Sequence, residues 1–320
     1  MSIFVARRPR LIFRDLHSAG DVCAGLGISL PSLPGFVAQK NKHYRALHLV
    51  KKNGGGARLV YQVGASLRRV QLEINESLLK EAVVHDAAHG FVRGRSTVTN
   101  ARQHRQAEQL LNVDIEDFFG RFRFDMVLDY FLSLGTAEEA ARTLTELVTL
   151  GESLPQGAVT SPLLSNAISH GVDVALAALA ARVGCVYTRY VDDLTFSGAE
   201  TPTIESVTAV LRGSGFSINK RKTKLRKRSQ AQYVTGLSVA SPSGPRLPKR
   251  MRRMLRMELY YANRFSVDAH VARRGRAAEE WLHWVDGTLA YAFSVEPEWT
   301  KALIKEFPDG VPDRWAPRTQ

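Results

Sequence analysis

Apolar residues recur along this chain with two different periods, and the switches between them mark its elements. Over residues 1–40, Leu11, Phe13, Leu16, Val22, Leu26 and Leu30 fall at helical spacing between Gly20, Gly25 and Gly27. Pro31, Pro34 and Gly35 close that segment, which predicts short helices leading into the main body. The pattern then becomes that of strands, Tyr44 to Lys51 and Ala57 to Val63, joined at Asn53-Gly-Gly-Gly56. Leu67 to Val84 has the spacing of an amphipathic helix, and a further helix is predicted near Val98, capped by Ser96 or Thr97. Leu111, Val113 and Ile115 alternate as a strand that presents Asp114 on its opposite face. Helices are predicted over Ala137–Leu150, Leu163–Arg182 and 203–213, with strands over Phe216–Asn219 and Tyr233–Val239. From Pro248 onward the pattern is helical, ending in Ala277–Phe293. This order predicts an α+β fold with a sheet covered by helices on one side.

Two adjacent carboxylates interrupt one of these β patterns. In Tyr187-Thr-Arg-Tyr-Val-Asp-Asp-Leu-Thr-Phe196 the flanking residues are β-branched, aromatic or aliphatic, so Asp192-Asp193 reads as the tip of a hairpin. Paired carboxylates repel unless a cation lies between them. Two readings fit this stretch alone: an ordinary Asp-Asp turn, or half of a two-metal site that needs a carboxylate from another strand. Asp114, followed by Phe118 and Phe119, supplies that carboxylate in apolar surroundings, where an isolated charge is costly. A shared divalent cation is the simplest compensation. Three other stretches bear on ligands. Lys51, Lys52 and Arg58 flank the glycine-rich hairpin tip, which serves either as a solvated end or as a clamp on phosphate oxygens. Gly157 permits close approach of another molecule to the backbone beside Gln156. His104 shares a helix face with Asn100; a lone histidine on a helix is usually structural, and the spacing gives no reason to read it as a ligand.

Charge sharpens the picture. The chain carries 44 Lys and Arg against 31 Asp and Glu, a net charge of +13. Thirteen of those cations lie between Lys220 and Arg256, where there is no acidic residue. A single-sign field confined to one region implies a bound polyanion, with nucleic acid the leading candidate. Cys23 and Cys185 are too few for a disulfide framework and are expected to be buried and reduced. No run approaches the ~20 apolar residues of a membrane span, so a cytoplasmic protein with no membrane partner is expected.

Taken together and in order, these motifs resemble those of bacterial retron reverse transcriptases over roughly residues 40 to 295. Asp114 with Phe119 resembles the family's first catalytic motif, Leu-Pro-Gln156-Gly157 with Thr160-Ser161-Pro162 its second, and Tyr190-Val-Asp192-Asp193 its third. Asn100-Ala-Arg-Gln-His104 and Val234-Thr235-Gly236 resemble two elements that mark retron enzymes. Gly120 and Val159 stand where the family commonly has proline.

The resemblance implies a right-hand polymerase: an N-terminal helical extension (1–40), fingers (41–113), an antiparallel-sheet palm (114–240, with finger insertions including 137–162), and a helical thumb with a C-terminal RNA-binding region (241–320). Asp114, Asp192 and Asp193 would hold two Mg²⁺ ions, with Mn²⁺ as a substitute. Lys52, Arg58, Phe119, Gln156, Gly157 and Lys222 would bind the dNTP, with Lys222 or Lys220 as general acid and Phe119 excluding a ribose 2′-hydroxyl. Asn100, His104, Val234, Thr235, Gly236, Arg246, Lys249, Arg250 and Arg253 would contact RNA. The implied function is reverse transcription of a cognate structured noncoding RNA from an internal guanosine 2′-hydroxyl, giving branched RNA–DNA. The implied partners are that RNA and its DNA product, a host RNase H, and a separate anti-phage effector. The alternatives are a reverse transcriptase of group II intron or diversity-generating type, and a non-catalytic RNA-binding scaffold that restrains a toxin.

Overall fold

In the computed structural model, described for residues 11–50, 56–275 and 277–316, the N-terminal helices α1 (Ala19–Leu26) and α2 (Leu33–Ala38) precede a hairpin of β1 (Tyr44–Val50) and β2 (Ala57–Val63). Helices α3 (Ala65–Glu81) and α4 (Thr97–Arg102) lead to β3 (Gln109–Asp114). Five helices follow: α5 (Phe118–Arg121), α6 (Phe124–Ser133), α7 (Glu138–Val148), α8 (Ser161–Ile168) and α9 (His170–Arg182). Then come β4 (Val186–Tyr190), β5 (Asp193–Gly198), α10 (Ile204–Gly213), β6 (Lys224–Lys227) and a two-rung hairpin of β7 (Tyr233–Val234) and β8 (Leu237–Ser238). The chain finishes with α11 (Lys249–Phe265), α12 (Val267–Ala272), α13 (Ala278–Val295) and α14 (Pro297–Glu306). Lys51, Lys52 and the glycine-rich tip lie outside the described residues, as do the first ten residues of the predicted N-terminal extension.

The central sheet is antiparallel, in the order β4-β5-β3-β6. One face carries Leu111 and Val113 of β3 with Leu194 and Phe196 of β5, all buried in a cluster with Val127, Leu144, Leu176 and Val207 from the covering helices. Burying each such side chain contributes about 1.5–3 kcal/mol, which fixes the register because a one-residue slip would turn the whole set outward. The opposite face is polar: Asn112 and Asp114 of β3, Asp193, Thr195 and Ser197 of β5, and Thr188 of β4 share it.

A second apolar cluster joins Leu255 and Leu259 of α11, Trp281, Val285 and Leu289 of α13, and Leu303 of α14. It also takes in Val98 and Ala101 of α4, Leu110 of β3, and Val234 and Leu237 of the small hairpin. Its polar centre is Glu258, which accepts hydrogen bonds from Trp281 Nε1 (2.9 Å), His270 Nε2 (2.8 Å) and Arg274. Burial raises the Glu258 carboxyl pKa, but the bonds from His270 and Trp281 and the Arg274 charge outweigh it, and the net shift is downward.

The structure amends several sequence expectations. The 163–182 helix is two helices bent by 49° at Ser169. Residues 216–219 make a single bridge, Ile115 to Ile218, and not a strand. The 233–239 strand is a hairpin, because Thr235 and Gly236 take positive φ (46° and 80°). The edge strand β6 and helix α6 have no counterpart in the sequence expectations.

Candidate active site

The register of β3 and β5 sets Asp114 directly opposite Asp193, so their side chains emerge side by side on the polar face. Asp192 is in the two-residue turn that joins β4 to β5, with Val191, and its carbonyl accepts from the Ile115 amide at 2.9 Å. The Asp-Asp pair is therefore split: Asp192 is in the turn and Asp193 opens the strand. Asp114 is buried, 6% exposed, and its carbonyl accepts from the Asn219 amide at 2.7 Å. Three carboxylates on one surface destabilise one another's charges. Asp193 is pushed up to about 6, first by surrounding protein that displaces water and then by Asp192 and Asp114. Although solvent reaches its side chain, it lies among enough protein and negative charge to raise its pKa. Asp192 is also raised, mainly by burial and further by Asp114, while Lys222 and Arg58 oppose the shift.

One cation sits within the cluster. Lys222 Nζ donates to Asp114 Oδ2 at 2.7 Å, and this bond, assisted by the nearby carboxylates, raises the ammonium pKa. Lys220 instead lines a groove of about 530 Å³ with Ile204 and Thr208 of α10. Of the two lysines, Lys222 is the one that contacts an aspartate. The all-oxygen donor set suits a hard divalent cation, although no three acidic, His or Cys side chains among the described residues are gathered as a ready metal site.

A buried ion pair braces the turn from behind. Arg189 of β4 is 1% exposed and grips Asp173 of α9 bidentately, Nε to Oδ1 at 2.8 Å and Nη2 to Oδ2 at 2.7 Å. Tyr187 donates to the same carboxylate at 2.8 Å, and Arg189 Nη1 donates to Asn166 Oδ1 (3.0 Å) and to the Val191 carbonyl (3.3 Å). Val191 has φ 61°, which is strained for a β-branched residue. The carbonyl contact from Arg189 helps hold it there. Sequence reasoning missed this arginine; an Arg within an otherwise apolar or aromatic strand was the available signal.

Of the other predicted nucleotide-binding residues, Arg58, Phe119, Gln156 and Gly157 lie among the described residues. Phe119 is half-buried, its ring 5.4 Å from Phe118 and 6.3 Å from Phe91. Gly157 takes φ +110°, and a Cβ there would come within 2.3 Å of the Tyr61 carbonyl oxygen. The close approach expected at this glycine is thus made by the chain's own β2, and the Tyr61 amide also donates to the Gln156 carbonyl at 2.8 Å. That docking fixes the strand bearing Arg58, whose charge reaches Asp192. The two departures from proline have local causes. A Cβ on Gly120 would lie 2.2 Å from the Asp117 carboxylate, and Val159 donates its amide to the buried Gln71 at 3.4 Å, which proline cannot do.

Three residues expected to contact RNA do not face solvent. Asn100 and His104 are fully buried, as is Val234. His104 bridges two strands, Nδ1 to Ser197 Oγ and Nε2 to Thr188 Oγ1, both at 2.7 Å. Burial, helped slightly by His89, pushes it down to about 3, so the ring is neutral. Thr235 Oγ1 donates to the Thr97 carbonyl at 2.9 Å, and Gly236 supplies the turn. The Asn100–His104 and Val234–Gly236 elements therefore fasten α4 and the small hairpin between the sheet and the C-terminal helices. The sequence signals for this were the apolar side chain at Val234 and a spacing at His104 that suits a structural histidine. Arg246, Lys249, Arg250 and Arg253 are exposed, and the last three make no ion pair among the described residues.

An antiparallel sheet with Asp114 and Asp193 at the ends of two strands, Asp192 in the adjoining turn, a lysine on Asp114 and a basic helical unit in the same chain is an arrangement that suits nucleotidyl transfer. Residues 50–238 match the model of the reverse transcriptase (RNA-dependent DNA polymerase) family. The retron Mx65 reverse transcriptase of Myxococcus xanthus is 34% identical over 312 residues, 89% of this chain and 70% of that protein. The retron Mx162 enzyme of the same organism is 30% identical, covering 91% and 67%, and the Escherichia coli retron Ec86 enzyme is 29% identical, covering 72% of each. The chain belongs to the reverse transcriptase family, and within it to the retron reverse transcriptases; it is an RNA-directed DNA polymerase.

Proposed function

We propose that the protein binds its own structured noncoding RNA and copies part of it from an internal guanosine 2′-hydroxyl, yielding a branched RNA–DNA molecule. The observation that carries the catalytic part of this reading is the pairing of Asp114 and Asp193 on one face, with Asp192 within electrostatic reach and Lys222 bound to Asp114. In this reading the central sheet with α5–α10 is the palm, with α7 in a finger insertion, the β1–β2 hairpin belongs to the fingers, and α11–α14 form the thumb.

Asp114 and Asp192 are the residues that would hold two divalent cations, Mg²⁺ with Mn²⁺ as substitute, and Asp193 supports them. Such ions activate the attacking hydroxyl and neutralise the triphosphate. The chain's own groups do the rest. In this reading Arg58 and Lys52 steer the triphosphate toward the aspartates, and Lys222 gives a proton to the departing pyrophosphate, a role its contact with Asp114 supports. Gln156 and Gly157 hold β2 in place and border the nucleotide. The Phe119 ring excludes a 2′-hydroxyl from the incoming sugar. Arg246, Lys249, Arg250 and Arg253 bind phosphates of the folded RNA and the product duplex. Template removal by a host RNase H, a cytoplasmic location and a separate anti-phage effector complete the proposal.

The test is to sequence nucleic acid that copurifies with the full-length protein expressed from its native locus. A DNA strand joined covalently to a structured RNA through a 2′-linked guanosine is expected. Recovery of unlinked RNA and DNA only would overturn the branched-product reading.

A further inference from the structure

A second aromatic residue beside the aspartate turn has features that its fold does not require. Phe91 is 54% exposed, a poor place for a large apolar ring, and it takes φ 59°, a conformation that glycine adopts freely and phenylalanine does not. Both costs are imposed by its neighbours. Ala87 and His89 bond to Arg189 on the edge of β4: the His89 amide donates to the Arg189 carbonyl, and the Arg189 amide to the Ala87 carbonyl, each at 2.7 Å. Gly90 is wedged against the catalytic turn, where a Cβ would lie 2.6 Å from Val191 Cγ2 and 2.8 Å from Val191 N. Its carbonyl accepts from Asn166 Nδ2 at 2.8 Å, and Asn166 is held in turn by Arg189. The network that fixes Val191 therefore also fixes the segment that presents Phe91. The ring it presents meets Phe119 at 6.3 Å between centroids, tilted by 46°.

We propose that Phe91 is a specificity-determining residue of the nucleotide pocket: it forms a two-ring wall with Phe119, and it holds the Phe119 ring where that ring meets the incoming sugar. This rests on the reading of Phe119 as the residue that excludes the 2′-hydroxyl. An exposed ring in a strained backbone, locked to the turn that carries Asp192, is explained by a ligand it must touch and is not needed for packing. Asn166 is then a positioning residue, acting through the Gly90 carbonyl.

Single-nucleotide incorporation of dNTP and rNTP on an RNA template, with the full-length protein, tests this. Phe91→Ala is expected to lower the ratio of kcat/KM for dNTP over rNTP by roughly two- to tenfold, the weight of one aromatic contact. Phe91→Tyr keeps the ring and should keep the ratio. Phe91→Gly should also lower the ratio while its unfolding temperature stays level or rises, because glycine relieves the positive φ. Two results would overturn the inference. One is wild-type discrimination in Phe91→Ala and Phe91→Gly alongside lost discrimination in Phe119→Ala. The other is a Phe91→Gly protein with a lowered unfolding temperature, which would make the ring a packing element. If Phe119→Ala itself discriminates as wild type does, the sugar-exclusion reading fails first, and the two failures are thus told apart.

Discussion

Asp173→Asn is the sharpest perturbation of the frame behind the aspartate turn. It removes the anion that Arg189 grips bidentately, and both side chains are essentially inaccessible, so solvent cannot take over the role. Breaking one partner of a buried pair leaves an uncompensated charge and typically costs about 3–5 kcal/mol, a fifth or more of a usual folding free energy of about 5–15 kcal/mol. Chemical denaturation followed by circular dichroism should register a loss of that order. A compensated variant separates stability from positioning. In Asp173→Leu/Tyr187→Phe/Arg189→Met the charges leave together and no buried hydroxyl is orphaned, so stability should return to within about 1–2 kcal/mol of wild type. The Val191 carbonyl and Asn166 nevertheless lose their donor, so nucleotide incorporation should stay depressed. A loss below about 1 kcal/mol in Asp173→Asn, or full activity in the compensated variant, would refute the bracing role.

Three other predictions follow from single side chains. His104 is neutral when folded, with a pKa of about 3 against an ordinary 6.5, so only the unfolded chain takes up its proton as pH falls below 6.5. Stability should hold above that pH and decline below it by up to about 1.4 kcal/mol per pH unit; unfolding midpoints between pH 7.5 and 5 should show this slope, and the same slope in His104→Asn would assign it elsewhere. Gly157→Ala strains a positive φ and drives a methyl against the Tyr61 carbonyl, so a cost of about 1–3 kcal/mol and a raised KM for dNTP are expected in denaturation and steady-state assays. Arg250→Ala/Arg253→Ala should weaken RNA binding uniformly. The slope of log K against log salt should fall by about 0.7–0.9 for each phosphate no longer neutralised, measured by filter binding across salt.

What was legible in the sequence was what alternation and turn chemistry report directly. The strand of Asp114 and the hairpin of Asp192 showed because apolar residues flank each carboxylate, and the helices of the C-terminal unit showed because their apolar faces are regular. Edge strand β6 was invisible because Lys224-Leu-Arg-Lys227 carries charge in place of β-branched residues; it is a strand only because β3 offers it a partner. The bend at Ser169 was passed over although Ser169-His-Gly171 interrupts the apolar run there, because no proline marks the break and both flanking segments keep helical spacing. The burial of Asn100, His104 and Val234 was not legible for a related reason: a motif marks positions but carries no information on burial. His104 binds hydroxyls on two strands 84 and 93 residues away, a pairing that only the assembled sheet creates. Phe91 and Arg189 escaped attention because strain and buried pairing are properties of three dimensions.

The proposed site makes RNA-templated synthesis by this chain depend on the three carboxylates acting together. Extension of a DNA primer on an RNA template by purified full-length protein with dNTPs and Mg²⁺ tests that dependence most directly. Wild-type protein should extend the primer, and Asp114→Ala, Asp192→Ala and Asp193→Ala proteins that keep the wild-type circular dichroism spectrum should not. Extension by any of the three at the wild-type rate would contradict the assignment of that residue, and extension by all three would contradict the site.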